Sequence, residues 1–282
     1  MSNNLLETEI NDAVRRALAE DIGSADLTAA LIPESAVAEA QVISREAAIL
    51  CGMAWFDAVF HELSRPMEIN WQVRDGEYTT AGQTVCTLRG PARALLTGER
   101  TALNFLQTLS GIATVARRYA DAVRGTGVKV LDTRKTLPGL RHAQKYAVRC
   151  GGCYNHRMGL YDGVLIKENH IRAAGSITAA LRAAQDLAAD DVLVEIEVRT
   201  IEELREALEA GAKRILLDNF TLDDLRRAVA ENHGRAKLEA SGGVTLENIR
   251  RIAETGVDFI SVGDLTKNIK AVDLTLLFSA AE

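Results

Sequence analysis

The stretch VLVEIEVRTIEELREALEAGAKRILLD, residues 192–218, holds one complete structural unit. Residues 192–198 are β-branched and apolar at every other position, as a buried strand requires. Thr200 offers a hydroxyl to cap a helix over 200–210, and Gly211 stands where a helix end favours a left-handed residue. Residues 214–218 form a second strand that turns polar at Asp218. Strand, capped helix and strand in that order predict parallel pairing through a right-handed crossover. Within VLVEIEV the two-residue period puts Glu195 and Glu197 on one face and Val194, Ile196 and Val198 on the other. The apolar face should pack on helices. The two inward acids need partners, because a buried charge is costly alone. Lys167, on the preceding strand, is an available counter-ion.

The same rhythm extends in both directions. Strands are expected at 128–132, 163–167, 236–241 and 258–262, with helices near 142–150, 176–188, 221–232 and 245–255. Ser176, Thr221 and Thr245 stand at expected N-caps, and Gly256 follows the last helix. The strand ends Glu197, Asp218, Ser241 and Gly263 are 21, 23 and 22 residues apart. About six strands are present where a closed barrel needs eight. The expectation is therefore an incomplete, open parallel α/β barrel, with a doubly wound open sheet as the alternative. Polar residues at the strand ends (Asp132, Lys167, Glu197, Asp218, Ser241) favour the barrel, whose sites lie at the C-terminal mouth.

Upstream, the pattern differs. Residues 4–19 read as an amphipathic helix. Residues 36–96 alternate in short strands, AQVISREAAILCG, EINWQVRDGEY and QTVCTLRGPARALL, with turns at Asp75-Gly76 and Ala81-Gly82 and a helix-like WFDAVFHEL between the first two. Residues 97–123 return to helical periodicity around Gly111, which marks a break or a close contact. An α+β domain over 1–112 and a barrel over 113–282 follow, with the tail 268–282 a candidate to pack on the first domain.

The chain has 282 residues, 47% apolar and 26% charged, and a net charge of -6. That composition builds a full globular core and argues against nucleic acid as a partner. The N-terminus lacks the pattern of a secretory signal, and no run is long enough to span a bilayer, so the expected setting is cytoplasmic. Four cysteines make no disulfide framework. Cys150 and Cys153 form a CxxC, but no second pair follows at zinc-finger spacing, so the intervening glycines read as a helix end.

Against this acidic background, residues 132–170 carry seven Lys/Arg and three acids. Arg134, Lys135, Arg157 and Lys167 fall at or just after strand ends, where they read as holding a small, highly charged anion. Arg141, Lys145 and Arg149 recur every four residues on one helix and read as surface charge. His156 could donate to the same anion or be structural. Ser241-Gly242-Gly243 and Gly263 end adjacent strands ahead of helices and offer free amides as a phosphate cradle. Glu197 and Asp218 end consecutive strands and can hold Mg²⁺ with a phosphate substrate, or sugar hydroxyls.

The motifs GERTALNFLQTLSGIAT (98–114), DTRKTLPGLRHAQKYAVRCGG (132–152), NHRMGLYDGVLIKENHI (155–171), LLDNF (216–220) and EASGGV (239–244) resemble the quinolinate phosphoribosyltransferase family. The resemblance covers essentially the whole chain. It implies an N-terminal sandwich domain, an incomplete α/β barrel and a homodimer. It also implies condensation of quinolinate with phosphoribosyl pyrophosphate, with Mg²⁺, to give nicotinate mononucleotide, CO₂ and pyrophosphate for NAD synthesis. Carried over by motif, Arg134, His156, Arg157 and Lys167 would hold the quinolinate carboxylates, with Arg100 supplied by the partner subunit. Thr133 would join the substrate contacts. Lys135 would face the pyrophosphate, and Glu197 and Asp218 the ribose and metal; these three are the catalytic candidates. Ser241, Gly242, Gly243, Gly263, Asp264 and Leu265 would cradle the 5′-phosphate. Many members read VGALT where this chain has VGDLT, and an acid at Asp264 would repel a phosphate if it pointed inward. Rival readings are a paralogue with another substrate, such as the molybdenum-associated branch or a nicotinate-specific transferase, and a non-catalytic phosphosugar-binding barrel.

Overall fold

A computed structural model describes residues 3–189 and 192–279. In chain order it holds α1 (Asn3–Ile22), β1 (Val37–Ser44), β2 (Ala48–Ile49), α2 (Met53–Leu63), β3 (Glu68–Trp71), β4 (Tyr78–Thr79), β5 (Thr84–Pro91) and α3 (Ala92–Ala122). Then follow β6 (Lys129–Leu131), α4 (Arg141–Cys150), β7 (Gly163–Ile166), α5 (Glu168–Ala174), α6 (Ile177–Leu187), β8 (Leu193–Val198) and α7 (Ile201–Glu209). The chain ends with β9 (Arg214–Asp218), α8 (Leu222–Asn232), β10 (Lys237–Ser241), α9 (Ile249–Ala253), β11 (Phe259–Ser261), α10 (Asp264–Lys267) and β12 (Leu274–Phe278).

Two compact units emerge. One comprises Met1–Arg117, Thr136–Gly152 and Asn268–Glu282; the other comprises Arg118–Lys135 and Cys153–Lys267. The expected boundary near residue 112 falls inside α3, and α4 groups with the first unit. Of the expected tail, residues 280–282 lie outside the described residues.

The first unit is built on an antiparallel sheet in the order β12-β1-β5-β3, with β2 and β4 paired separately. The tail strand β12 pairs with β1, Ala40 opposite Phe278. Phe56 packs edge-on against Phe60 and Trp71, with ring centroids 5.1 and 5.2 Å apart. ARALL, expected to extend the strand, instead opens α3, because Pro91 ends the sheet pairing and suits the approach to a helix. Gly111 does not break α3. It marks a close approach: a Cβ there would lie 2.1 Å from the Lys270 carbonyl oxygen.

The second unit is a parallel six-stranded sheet in the order β6-β11-β10-β9-β8-β7. It is not closed, as the strand count implied. α6, α7 and α8 pack each against the next. Ser176, Thr200 and Thr221 cap their helices, each side chain accepting a backbone N–H three residues on. Thr245 does not cap. Its N–H donates to Asn248 Oδ1 at 2.9 Å, and the turn so made delays α9 to Ile249. Among the described residues, no helix is long and apolar enough to cross a membrane.

Candidate active site

The C-terminal strand ends of the second unit surround one cavity of about 810 Å³. Parallel strands all deliver their last residues to the same edge, so the polar strand ends of the sequence meet here. Thr133, Arg134, Lys135, His156, Arg157 and Lys167 line one part of the wall. Glu197, Asp218, Ser241, Gly242, Gly243, Gly263 and Asp264 line the rest. Leu265 is buried and lies off the wall. Arg100 belongs to the first unit, where it borders a smaller depression with Asp21, Asp26 and Thr97.

The cationic part is crowded. Tyr154 bridges Leu131 on the outer edge of β6, and the chain passes through His156 and Arg157 before entering β7 at the opposite edge of the sheet. Arg157 donates from Nη1 to the Gly163 carbonyl at 2.8 Å. Its pKa is lowered, first by burial and then by the nearby Arg134 charge. Arg134 has a buried Nε with no hydrogen-bond partner. Two guanidiniums close enough to repel, one with an unsatisfied donor, make a site that an anion completes.

The acids divide by depth. Glu197 accepts from Lys167 Nζ, the pairing expected from the strand pattern. Asp218 lies 3.7 Å from Arg199, which also binds Glu168. Deeper, Glu195 accepts from His156 Nε2 at 2.8 Å and from Arg214 Nε at 3.1 Å. Burial alone would raise Glu195, but the His156 and Arg214 contacts leave it lowered. His156 Nδ1 meanwhile accepts the Arg157 N–H at 2.7 Å, so its proton sits on Nε2 and is given to Glu195. Its two ring nitrogens are thus spent on holding the wall together. Glu239 binds Arg214 through one oxygen, while the other is buried without a hydrogen bond. Burial and the Glu195 charge push Glu239 up to about 7.

The third part of the wall presents backbone as well as charged side chains. Gly242 and Gly243 take φ of +96° and +60°. A Cβ on Gly242 would lie 2.1 Å from Asn219 Oδ1, so only glycine fits. The amides of both glycines donate no hydrogen bond among the described residues. Lys135 crosses to the neighbouring strand end, its Cδ 3.3 Å from where a Gly263 Cβ would be. Its carbonyl accepts from Thr266 Oγ1 at 2.8 Å, and its N–H donates to Thr133 Oγ1 at 3.1 Å. Asp264 is held by a hydrogen bond from the Tyr119 hydroxyl, whose pKa burial and that acid raise to about 12.

Glu239, Asn219, Lys267 and Ser261 are among the wall residues that sequence reasoning missed. Glu239 lies two before Ser241 as Glu195 lies two before Glu197, so the strand period could have found it. Asn219 follows Asp218 at a positive φ of 58°, common for asparagine in such turns. Lys267 closes the last short helix, and Ser261 ends β11. Lys145, read as surface charge, is fully buried. The reading failed because Ala143, Gln144, Ala147 and Val148 are buried too, leaving α4 no broad wet face.

Fold and site together define an open α/β-barrel enzyme that takes anionic, phosphate-bearing small molecules. The chain belongs to the quinolinate phosphoribosyl transferase family: residues 26–110 match its N-terminal domain and 112–277 its C-terminal domain. It is 44% identical over 257 residues to the probable nicotinate-nucleotide pyrophosphorylase [carboxylating] of Bacillus subtilis, covering 91% of this chain and 89% of that one. The Mycobacterium leprae nicotinate-nucleotide pyrophosphorylase [carboxylating] is 44% identical over 272 residues, covering 94% and 95%. The solved nicotinate-nucleotide pyrophosphorylase of Francisella tularensis superposes with a TM-score of 0.94 at 45% identity, covering 97% of each chain.

Proposed function

We propose that this chain condenses quinolinate with phosphoribosyl pyrophosphate, releasing pyrophosphate and CO₂ and yielding nicotinate mononucleotide for NAD synthesis. The observation that carries the reading is that Arg134, whose Nε is unsatisfied, and Arg157 line the same cavity as Gly242 and Gly243. The guanidiniums hold the dicarboxylate; the amides of Gly242 and Gly243 take the 5′-phosphate. Lys135 lies against the Gly263 strand end and steadies the departing pyrophosphate. Glu197 and Asp218 flank the ribose and offset the positive charge that develops at its C1 as the pyrophosphate leaves. The pyridine nitrogen attacks that carbon. The pyridinium formed stabilises the electron pair left at C2 as the 2-carboxylate departs as CO₂, and that carbon then takes a proton from water, so the protein's main work is to align two polyanions.

Glu197 and Asp218 are hard oxygen donors on adjacent strands, and they fit Mg²⁺ held together with a phosphate substrate. Bound there, Mg²⁺ supplies charge neutralisation for the leaving pyrophosphate. We read the setting as cytoplasmic, with four cysteines too few for a disulfide framework.

The test is release of labelled CO₂ from carboxyl-labelled quinolinate, with nicotinate as the rival acceptor. CO₂ release dependent on phosphoribosyl pyrophosphate is expected. Turnover of nicotinate without CO₂, or binding without turnover, defeats the reading. We further propose a homodimer in which Arg100 serves the partner's cavity. Mixing inactive Arg100→Ala and Lys135→Ala chains should then restore part of the activity; no recovery in verified mixed dimers sinks that assignment.

A further inference from the structure

Cys150 and Cys153 are near in sequence, yet the first unit sets Cys150 against a different cysteine. Cys51 leads into α2 and Cys150 ends α4, and their sulfurs and an Asp75 carboxylate oxygen lie within 4.8 Å of one another. Both cysteine backbones are fixed. The Cys51 N–H donates to Ser110 Oγ at 2.9 Å, and Ser110 Oγ donates back to the Cys51 carbonyl at 3.2 Å. Gly151, just after Cys150, is pressed against α3 so closely that a Cβ would lie 2.4 Å from the Ala113 carbonyl oxygen. Tyr146, one turn before Cys150, packs tilted against Trp55 with centroids 5.4 Å apart and donates to Asp75 Oδ2 at 2.8 Å.

A metal is a poor occupant of this cluster. Asp75 Oδ1 already accepts from the Gly52 and Met53 amides at 2.9 and 3.2 Å, and Oδ2 from Tyr146. Only two sulfurs remain, against the four ligands of a structural zinc site. Two facing thiols on rigid backbones suit a different chemistry. We propose that Cys51 and Cys150 form a reversible disulfide when the protein meets a low-molecular-weight disulfide, making this pair a redox modification site.

Exposure sets the order of events. Cys51 is fully buried, whereas Cys150 is partly exposed. The Cys51 thiol donates toward Cys150 and holds its pKa below the ordinary value, while burial raises that of Cys51. The Cys150 thiolate therefore attacks the small disulfide first, forming a mixed disulfide and expelling one thiolate. Cys51 then gives up its proton and attacks the Cys150 sulfur, expelling the second. Two protein thiols lose two electrons and two protons, and the oxidant leaves as two thiols.

The test uses the full reduced chain and oxidised glutathione, followed by alkylation of free thiols in denaturant, which opens the buried cysteines, and non-reducing peptide mass spectrometry. A disulfide joining the Cys51 and Cys150 peptides is expected, with loss of two alkylatable thiols that dithiothreitol restores. Cys86 and Cys153 should stay alkylatable throughout. Cys51→Ser should accumulate one glutathione on Cys150, because the resolving thiol is gone. A wild-type chain that keeps all four thiols, that stops at glutathionylated Cys150, or that links Cys150 to Cys153 overturns the proposal. So does stoichiometric zinc retained on Cys51 and Cys150 by the purified protein.

Discussion

The two sides of the cavity are built differently, and under the proposed function they would hold anions by different physics. The β6–β7 side uses guanidiniums, with Arg134 and Arg157 close enough for one to depress the other. The β10–β11 side uses backbone amides presented by Gly242 and Gly243. Guanidinium forks can match a planar carboxylate in two directions at once. An amide cradle instead demands that the backbone come close, which excludes a side chain. One side is therefore vulnerable to loss of charge, and the other to gain of a single methyl group.

The largest effect should follow truncation on the cationic side. Arg134→Ala should cost about 2–5 kcal/mol of quinolinate affinity and leave phosphoribosyl pyrophosphate affinity little changed, as read by calorimetry with each ligand alone. Equal losses for both ligands would erase the distinction between the sides. Next comes Gly242→Ala. With φ at +96° and Asn219 Oδ1 in the way, it should cost about 1–3 kcal/mol, and on the phosphate ligand only. Adding Asn219→Gly should recover part of the loss, because the clash is removed while the φ strain stays.

Glu239 sharpens the comparison through pH, since it supports the cationic side from below. Its folded pKa of about 7 lies above the ordinary 4.5, so the folded protein binds the extra proton between those values. Stability from this group therefore falls as pH rises through that window, and the whole penalty stands above pH 7. Glu239→Gln should stabilise the chain by about 1–2 kcal/mol at pH 8, with the gain gone near pH 4.5. Thermal unfolding across that range reads it, and a gain that grows with acidity would reverse the sign. The smallest effect belongs to Asp264→Ala. The acid is tied to Tyr119, so the phosphate ligand should gain less than about 1 kcal/mol. A larger gain in titrations would mean that the carboxylate faces the phosphate.

Much of this site could be read from the chain because strand ends in a parallel sheet share one edge. Asp218 and Ser241 close the strands expected to carry them, and Glu197 pairs with Lys167. Glu195 was rightly placed inward, but its partners were not visible: Arg214 opens the next strand, and His156 comes from a loop. Loop paths follow from packing and carry no periodic signal. Lys145 shows a related limit, because its spacing from Arg141 and Arg149 was that of a wet stripe. Nothing local announces that α4 is buried almost all round. Cys150 had a neighbour in sequence, but its neighbour in space is Cys51, and no spacing rule links the two.

The strand orders also bear on how the chain is made. β6 has one strand neighbour, β11, whose residues Phe259–Ser261 leave the ribosome long after Lys129–Leu131. β1 waits likewise for β12 at Leu274–Phe278 to cover one of its edges. Neither sheet can be completed until these late strands have emerged. During elongation β6 and one edge of β1 remain open for pairing with other chains. A truncation that removes only β12 leaves every cavity residue in place, yet it strips the cover from β1 and should send nascent protein toward aggregates.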